Sequence, residues 1–510
     1  MASPERRAAG LIMIRADAAH WAEPLYRDEI SRLIDRGVGG VGVFLGGLEE
    51  TALMIEDLQR RGGRSLLIAA DYEHGLPMRL TDGIAFPRAM ALGKTIPGIT
   101  ELVATCIADE ARAIGVHWNW APVADINSNP KNPIINTRSF GESAEVVSAH
   151  AAAYVRGTQQ RYVIACAKHA PGHGDTQVDS HMSVPRIDVA PEVAVAREFA
   201  PFKACIDAGV RSIMVAHILV PFLDPKFPAS LSRSIVTGLI RESWNFTGLI
   251  TTDAMDMKSI SEVWSSGDAA LLAIHAGVDV VLMPNNPHEA IDAIKAAIEK
   301  GTITDERLVA SESRLDEARA FVGVRSRLTD AKPLTRDRNV VDQSAHAMIA
   351  LKAADVAICV EGQLNVLPIT QFTQVAAFAV IDESETDIAT TWFQSLARGT
   401  EIDVDFGFVD TSITDEDLLS LHEGIVDAQL VIFVFFGKAV AFKGELADMS
   451  RIPQIIQQIA ADKKILIVAC GSPYGVDVLP AHTRLYTYSD TLPSLAASVM
   501  RLIGRAVNEN

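Results

Sequence analysis

Gly248-Leu249-Ile250-Thr251-Thr252-Asp253-Ala254-Met255-Asp256-Met257 is an apolar, β-branched run that ends on a carboxylate. β-Branched and aliphatic residues in unbroken sequence predict a strand buried on both faces, since a half-exposed strand would alternate. An aspartate at its end is either the N-cap of a following helix or, in a barrel of parallel strands, a group on the active face. Outward from this stretch the same kind of run recurs at residues 11–14, 38–44, 65–70, 117–123, 163–167, 212–216 and 278–283. Segments between them, such as 49–60 and 287–298, carry apolar residues at helical spacing. Strand and helix in alternation predict a parallel sheet. With residues 248–252 the set supplies the eight strands of a (β/α)8 barrel, which needs about 250 residues or more. Asp17, Asp71, Asp125, Lys168, His217 and Asp253 then stand just past strand ends, on the face where such barrels do chemistry.

At 510 residues the chain exceeds what one core fills, so a second domain is expected. Residues 325–343, with Arg325, Arg327, Lys332, Pro333, Arg336 and Arg338, read as an exposed linker. Further apolar runs follow at 356–360, 375–381, 430–436 and 465–470, separated by helix-like segments. The division is a (β/α)8-like barrel over 1–325, a linker over 326–343, and a smaller α/β sandwich-like domain over 344–510.

A net charge of −18 argues against nucleic acid or an anionic membrane as partner, because both require a basic face. The five cysteines are scattered without a CxxC pair, which predicts neither disulfides nor a zinc site and suits a reducing compartment. Residues 8–14 behind Arg6 and Arg7 have the minimum length of a signal segment, yet the same residues are needed as the first strand, so a cytoplasmic protein is expected. No apolar stretch is long enough to span a membrane.

The segment Lys168-His169-Ala170-Pro171-Gly172-His173-Gly174-Asp175-Thr176-Gln177-Val178-Asp179-Ser180-His181 packs three histidines, two aspartates and a lysine into fourteen residues. Pro171, Gly172 and Gly174 keep it from being a helix, and the glycines would let it open and close. A solvated polar loop is the bland reading. A metal site ranks lower, since neither an HExxH helix nor cysteine partners accompany it; no metal and no cofactor are expected. Asp179 and His181 are two apart, so on extended backbone they face the same way. A carboxylate beside an imidazole fixes its tautomer and makes a proton shuttle near neutral pH. Asp71-Tyr72-Glu73-His74-Gly75 with Arg79, and the stretch from Pro122 to Gly141 containing Arg138, add carboxylates and guanidiniums that suit a hydroxyl-rich ligand.

Residues 168–181 resemble the K-H-F-P-G-H-G-D-T-x-x-D-S-H signature of the β-N-acetylglucosaminidases of glycoside hydrolase family 3, with Ala170 in place of Phe. The family's β-glucosidases lack that signature and take a carboxylate acid/base from the second domain. The resemblance implies a retaining exo-β-N-acetylhexosaminidase acting on glycans such as peptidoglycan fragments. It makes Asp253 the nucleophile, His181 the acid/base and Asp179 its partner, and it sets Asp71, Arg79, Arg138, Lys168 and His169 around the sugar. Two stretches depart from the family pattern: Asp71-Tyr72-Glu73-His74-Gly75-Leu76 where D-Q-E-G-G-R is usual, and Thr252-Asp253-Ala254-Met255 where S-D-D-L is common. A phosphorylase on the same residues and a sugar-binding or sensor protein are the alternatives, the second opposed by the intact Asp253, Asp179 and His181.

Overall fold

The computed structural model describes residues 2–63, 65–176, 185–187, 189–324, 344–381, 385–410, 421, 423–437 and 452–507. The stretch read as a linker, 326–343, lies outside the described residues. The chain divides into two compact units. The first comprises Met1–Ile84, Pro97–Ile135 and Ser139–His346, and the second Ala85–Ile96, Asn136–Arg138 and Ala347–Asn510. Sequence reading assigned 85–96 and 136–138 to the barrel. Packing groups them otherwise: Met90 and Ala91 are buried in a core of the second unit, and the Arg88 guanidinium pairs with Asp490 there.

The first unit is built on eight strands: β1 (Ile12–Asp17), β2 (Gly40–Phe44), β3 (Leu67–Ala70), β4 (Trp118–Asn119), β5 (Ile164–Ala170), β6 (Ser212–Val215), β7 (Leu249–Thr252) and β8 (Val281–Leu282). They lie parallel in chain order, with β8 against β1. The Thr251–Val280 bridge, with Thr252 N donating to Val280 O at 3.1 Å, draws β7 to β8 so that the ring nearly closes. Each of the eight expected runs holds one strand. The helices also begin and end where chemistry favours it: Asn286 caps Pro287–Glu299, Thr304 caps Asp305–Val322, and Gly37 ends Pro24–Arg36 at φ 103°.

Several strands differ in extent from the reading: β1 runs on to Asp17, β8 covers only Val281–Leu282, and β4 and β5 differ beside the site. β4 is two residues long because Pro122 has no N–H to give its neighbour. Its side of the ladder still serves β5, since Ala121 O and Pro122 O accept from Cys166 N and Lys168 N at 2.7 and 3.1 Å. β5 is longer than expected and carries Lys168 and His169 on the strand itself.

Register identifies the interior of the ring. Arg15 pairs with Gly42, Asp17 with Phe44, Gly42 with Ala69, and Ala69 with Trp118. Paired residues on neighbouring parallel strands point to the same face. Trp118 Nε1 donates to Ser212 Oγ at 2.7 Å, from β4 to β6 past β5, so that face is the inside. Gly42 has no choice of residue: a Cβ there would sit 2.6 Å from the Trp120 ring.

Among the described residues the second unit has six strands, in the order β11 (Asp403–Asp410), β10 (Gln374–Ile381), β12 (Leu430–Phe435), β13 (Lys464–Ala469), β14 (Thr483–Tyr486) and β9 (Cys359–Gly362). All are parallel except β9, an antiparallel edge. Alternate residues feed two cores. Ala376, Phe378, Phe433 and Ile467 pack with Ile452–Ala460, while Ala377, Ala379, Ile432 and Val468 pack with Trp392, Leu396 and Val499 from helices Thr386–Gly399 and Leu492–Leu502. Helices on both faces make this the expected α/β sandwich. No helix among the described residues is long and apolar enough to cross a membrane.

Candidate active site

Asp71 is the first residue after β3 and is buried. Its Oδ1 accepts from Lys168 Nζ at 2.7 Å and its Oδ2 from Arg79 Nη2 at 2.6 Å. Lys168 also pairs with Glu73 Oε1 at 2.7 Å, and only 3% of its side chain is exposed. Two cations thus face two carboxylates across the strand ends, neutral as a set and rich in directed donors and acceptors.

Lys168 and His169 are consecutive, and on a regular strand they would point to opposite faces. The β5–β6 register breaks between Ala167 and Ala170, and such irregularities re-aim side chains beside active sites. Both residues reach the strand-end network here. His169 Nδ1 lies 2.7 Å from Asp125 Oδ2, which fixes the ring and leaves Nε2 for a ligand. Asp125 also accepts from the backbone N–H of His169 and of His173.

The first part of the histidine-rich segment is locked. Asn132 Nδ2 donates to His173 O and Gly174 O, both at 3.0 Å, and a Cβ on Gly174 would fall 1.5 Å from Ile126 O. Gly174 therefore serves close approach of two backbones, where a hinge was expected. Arg197 fastens the segment from behind through Asp175 at 2.9 Å. Burial and the neighbouring His169 push the His173 imidazole down to about 4 against the pull of Asp125 and Asp253, so it is neutral near pH 7.

Asp253 follows β7 directly, its N–H donating to Val215 O at 2.9 Å. It does not cap a helix: the next one, Lys258–Ser261, has Met257 at its N-cap position. Its Oδ1 instead accepts the Ala254 N–H at 2.8 Å. Burial raises the carboxyl, but His169, His217, the Ala254 amide and Lys168 together outweigh it and hold Asp253 below the ordinary aspartate value. An ionised, partly buried carboxylate among imidazoles suits nucleophilic attack. Asp256, three residues on, is exposed. His217 is held between Ser230 Oγ at 2.7 Å and Ala254 O at 3.0 Å.

Of the residues singled out in sequence, Asp71, Arg79, Lys168 and His169 come together, and Asp253 stands within the fields of His169, His217 and Lys168. Arg138 closes the turn Asn136–Arg138, which belongs to the second unit. Asp179 and His181 lie outside the described residues. Sequence gives Glu73 no role and makes Asp125 and His217 only strand-end polar groups; Asp125 meets His169 from 44 positions away, and His217 meets Ser230 and Ala254 from 13 and 37, pairings that spacing does not reveal.

Lys168→Met leaves Asp71 and Glu73 without their shared cation. Breaking a buried pair costs about 3–5 kcal/mol, and chemical denaturation should show that loss. In the wild type, burial raises Asp71, but Lys168 and Arg79 bring it down to about 2. The folded value lies below the unfolded one of about 3.9, so its stabilisation is complete above about pH 4 and is lost as pH falls through about 2. Without Lys168 the acid midpoint should move to higher pH. An unshifted midpoint would deny the pairing its role.

Residues 6–318 match the family model for the glycosyl hydrolase family 3 N-terminal domain. A β-hexosaminidase A from Pseudoalteromonas piscicida is 30% identical over 440 residues, covering 79% of this chain and 72% of that protein. A β-N-acetylglucosaminidase/β-glucosidase from Cellulomonas fimi is 31% identical over 364 residues, or 69% of this chain and 64% of that protein. Among solved structures, a family 3 β-N-acetylglucosaminidase from Paenibacillus sp. str. FPU-7 has a TM-score of 0.82 at 27% identity, covering 99% of this chain and 97% of that one. A β-glucoside phosphorylase shares the fold, with a TM-score of 0.85 at 22% identity over 99% and 92% of the two chains.

Proposed function

The chain belongs to glycosyl hydrolase family 3 and is a glycosidase, and from that premise we propose that it is a retaining exo-β-N-acetylhexosaminidase. It releases terminal β-N-acetylglucosamine from glycans, peptidoglycan fragments among them, in the cytoplasm. The observation that carries this reading is the neighbourhood of Asp253: a carboxylate kept ionised at a barrel strand end, beside the network of Asp71, Arg79, Lys168, Glu73 and His169. The names of the relatives support the sugar.

Asp253 attacks the anomeric carbon while His181 protonates the departing oxygen, and water then releases the sugar with His181 as base. An imidazole has an unperturbed pKa of about 6.5, so it serves both steps near neutral pH; Asp179 orients it. Asp71, Arg79, Arg138, Lys168 and His169 hold the hydroxyls and acetamido group. Aryl β-N-acetylglucosaminide and aryl β-glucoside, assayed side by side, test the reading. The acetamido sugar is expected to turn over with the higher kcat/KM. Turnover of the glucoside alone would overturn the assignment, and a sugar 1-phosphate formed only when inorganic phosphate is added would replace hydrolysis with phosphorolysis.

A further inference from the structure

Interior positions of a barrel are usually filled by apolar side chains, yet β1 sends Arg15 and Asp17 inward in register with Gly42 and Phe44 of β2. Met13, one inward step below, is buried, whereas 43% of the Arg15 side chain is exposed, so the guanidinium stands where the interior opens. Its stem is not loose. The guanidinium lies 4.7 Å from the centre of the Phe44 ring, and Nε donates to Asp17 Oδ1 at 2.9 Å. Asp17 is itself placed by the Tyr26 hydroxyl, which accepts the Asp17 N–H at 2.7 Å.

The Arg79 guanidinium lies 4.9 Å from the centre of the same ring, and Arg79 holds Asp71, which holds Lys168. A continuous line of contacts therefore runs from the network proposed to hold the sugar, across Phe44, to Arg15. Asp17 engages Arg15 through Nε, and among the described residues the two terminal NH2 groups of Arg15 form no hydrogen bond. Arg79 Nε is buried and has no hydrogen-bond partner among the described residues. A guanidinium fixed at its stem by Asp17 and Phe44, with 43% of its side chain exposed at the strand end, is arranged to offer its fork of donors to oxygen acceptors.

We propose that Arg15, positioned by Asp17 and Phe44, is a specificity-determining residue that donates hydrogen bonds to a hydroxyl of the terminal sugar beyond those held by Asp71 and Arg79. This rests on the reading that the strand-end network binds a glycoside. Neutral hydroxyls fit better than an anion, because Arg15, Arg79 and Lys168 are already matched by Asp17, Asp71 and Glu73.

The test is a cycle between protein and substrate in the full-length enzyme. Wild type, Arg15→Met and Arg15→Lys are assayed on an aryl β-N-acetylglucosaminide and on its 3-, 4- and 6-deoxy analogues. Methionine keeps the stem over Phe44 without donors, and lysine keeps the charge without the fork. A hydrogen bond to a charged donor is typically worth roughly tenfold to a hundredfold in equilibrium terms. Arg15→Met should therefore lose about that much kcat/KM on the parent sugar and almost nothing on the one deoxy analogue that lacks the recognised hydroxyl; Arg15→Lys should recover part of it. An equal loss on parent and all three analogues would overturn the proposal, whether or not the variant folds less well, because damaged folding lowers every substrate alike. If wild type turns over none of these glycosides, the functional reading itself fails, which is a different result from additive losses in an active enzyme.

Discussion

Replacing Asp253 by alanine is expected to lower kcat by roughly 10⁴- to 10⁶-fold, the scale on which enzymes lose rate without their nucleophile. The fold should survive, because the Asp253 backbone N–H still reaches Val215 O and the carboxylate caps no helix. Azide offers a sharper readout than activity alone. With the carboxylate gone, a small anion enters the vacated space and attacks the anomeric carbon directly. Azide should then restore turnover of an activated aryl glycoside and yield the α-glycosyl azide, the configuration opposite to the substrate. A 2-fluoro glycoside, which slows release of the covalent intermediate, should label Asp253 in peptide mass spectra. Label on Asp256, or azide rescue of an Asp256 variant only, would move the nucleophile three residues along.

His181→Ala is expected to show a loss that depends on the leaving group. General acid–base help is worth ~10²–10⁴-fold, and an aglycone of low pKa departs with little protonation. A natural disaccharide should lose that much, and a dinitrophenyl glycoside far less in its glycosylation step. Asp179→Ala should repeat the pattern more weakly, since the imidazole remains but its tautomer is no longer fixed. If His181→Ala slowed both substrates equally, and a carboxylate variant in the second unit showed the selective loss, the acid would have to be reassigned to that carboxylate.

The barrel was legible because most of its strands lie in or begin with a run of apolar residues buried on both faces, as at residues 249–252, where Leu249, Ile250, Thr251 and Thr252 are all buried. Less of the second sheet was legible. β11 lies at an edge, where Asp403 and Asp405 alternate with apolar residues, and Phe406 and Phe408 stay 40% and 51% exposed. Such a strand lacks the unbroken apolar character that marks an interior one. At the site, residue types and strand-end positions pointed to Asp71, Lys168 and Asp253. What they could not convey was the pairing. Glu73 shares the Lys168 ammonium, and Asp125 occupies the Nδ1 side of His169, which sequence had assigned wholly to the sugar.

Asp125 accepts the amide protons of His169 and His173 and faces the His169 ring as well, from 44 and 48 residues away along the chain. None of these bonds can form until the chain following β4 lies alongside β5. One fully buried carboxylate thus couples the integrity of the sheet to the aim of the histidines. Those two amides exchange with deuterium only when that stretch of the ring opens, and opening it disorders the site in the same event. Thermal inactivation is therefore expected to track the loss of amide protection at His169 and His173, and activity lost while both amides stay protected against deuterium exchange would break that link.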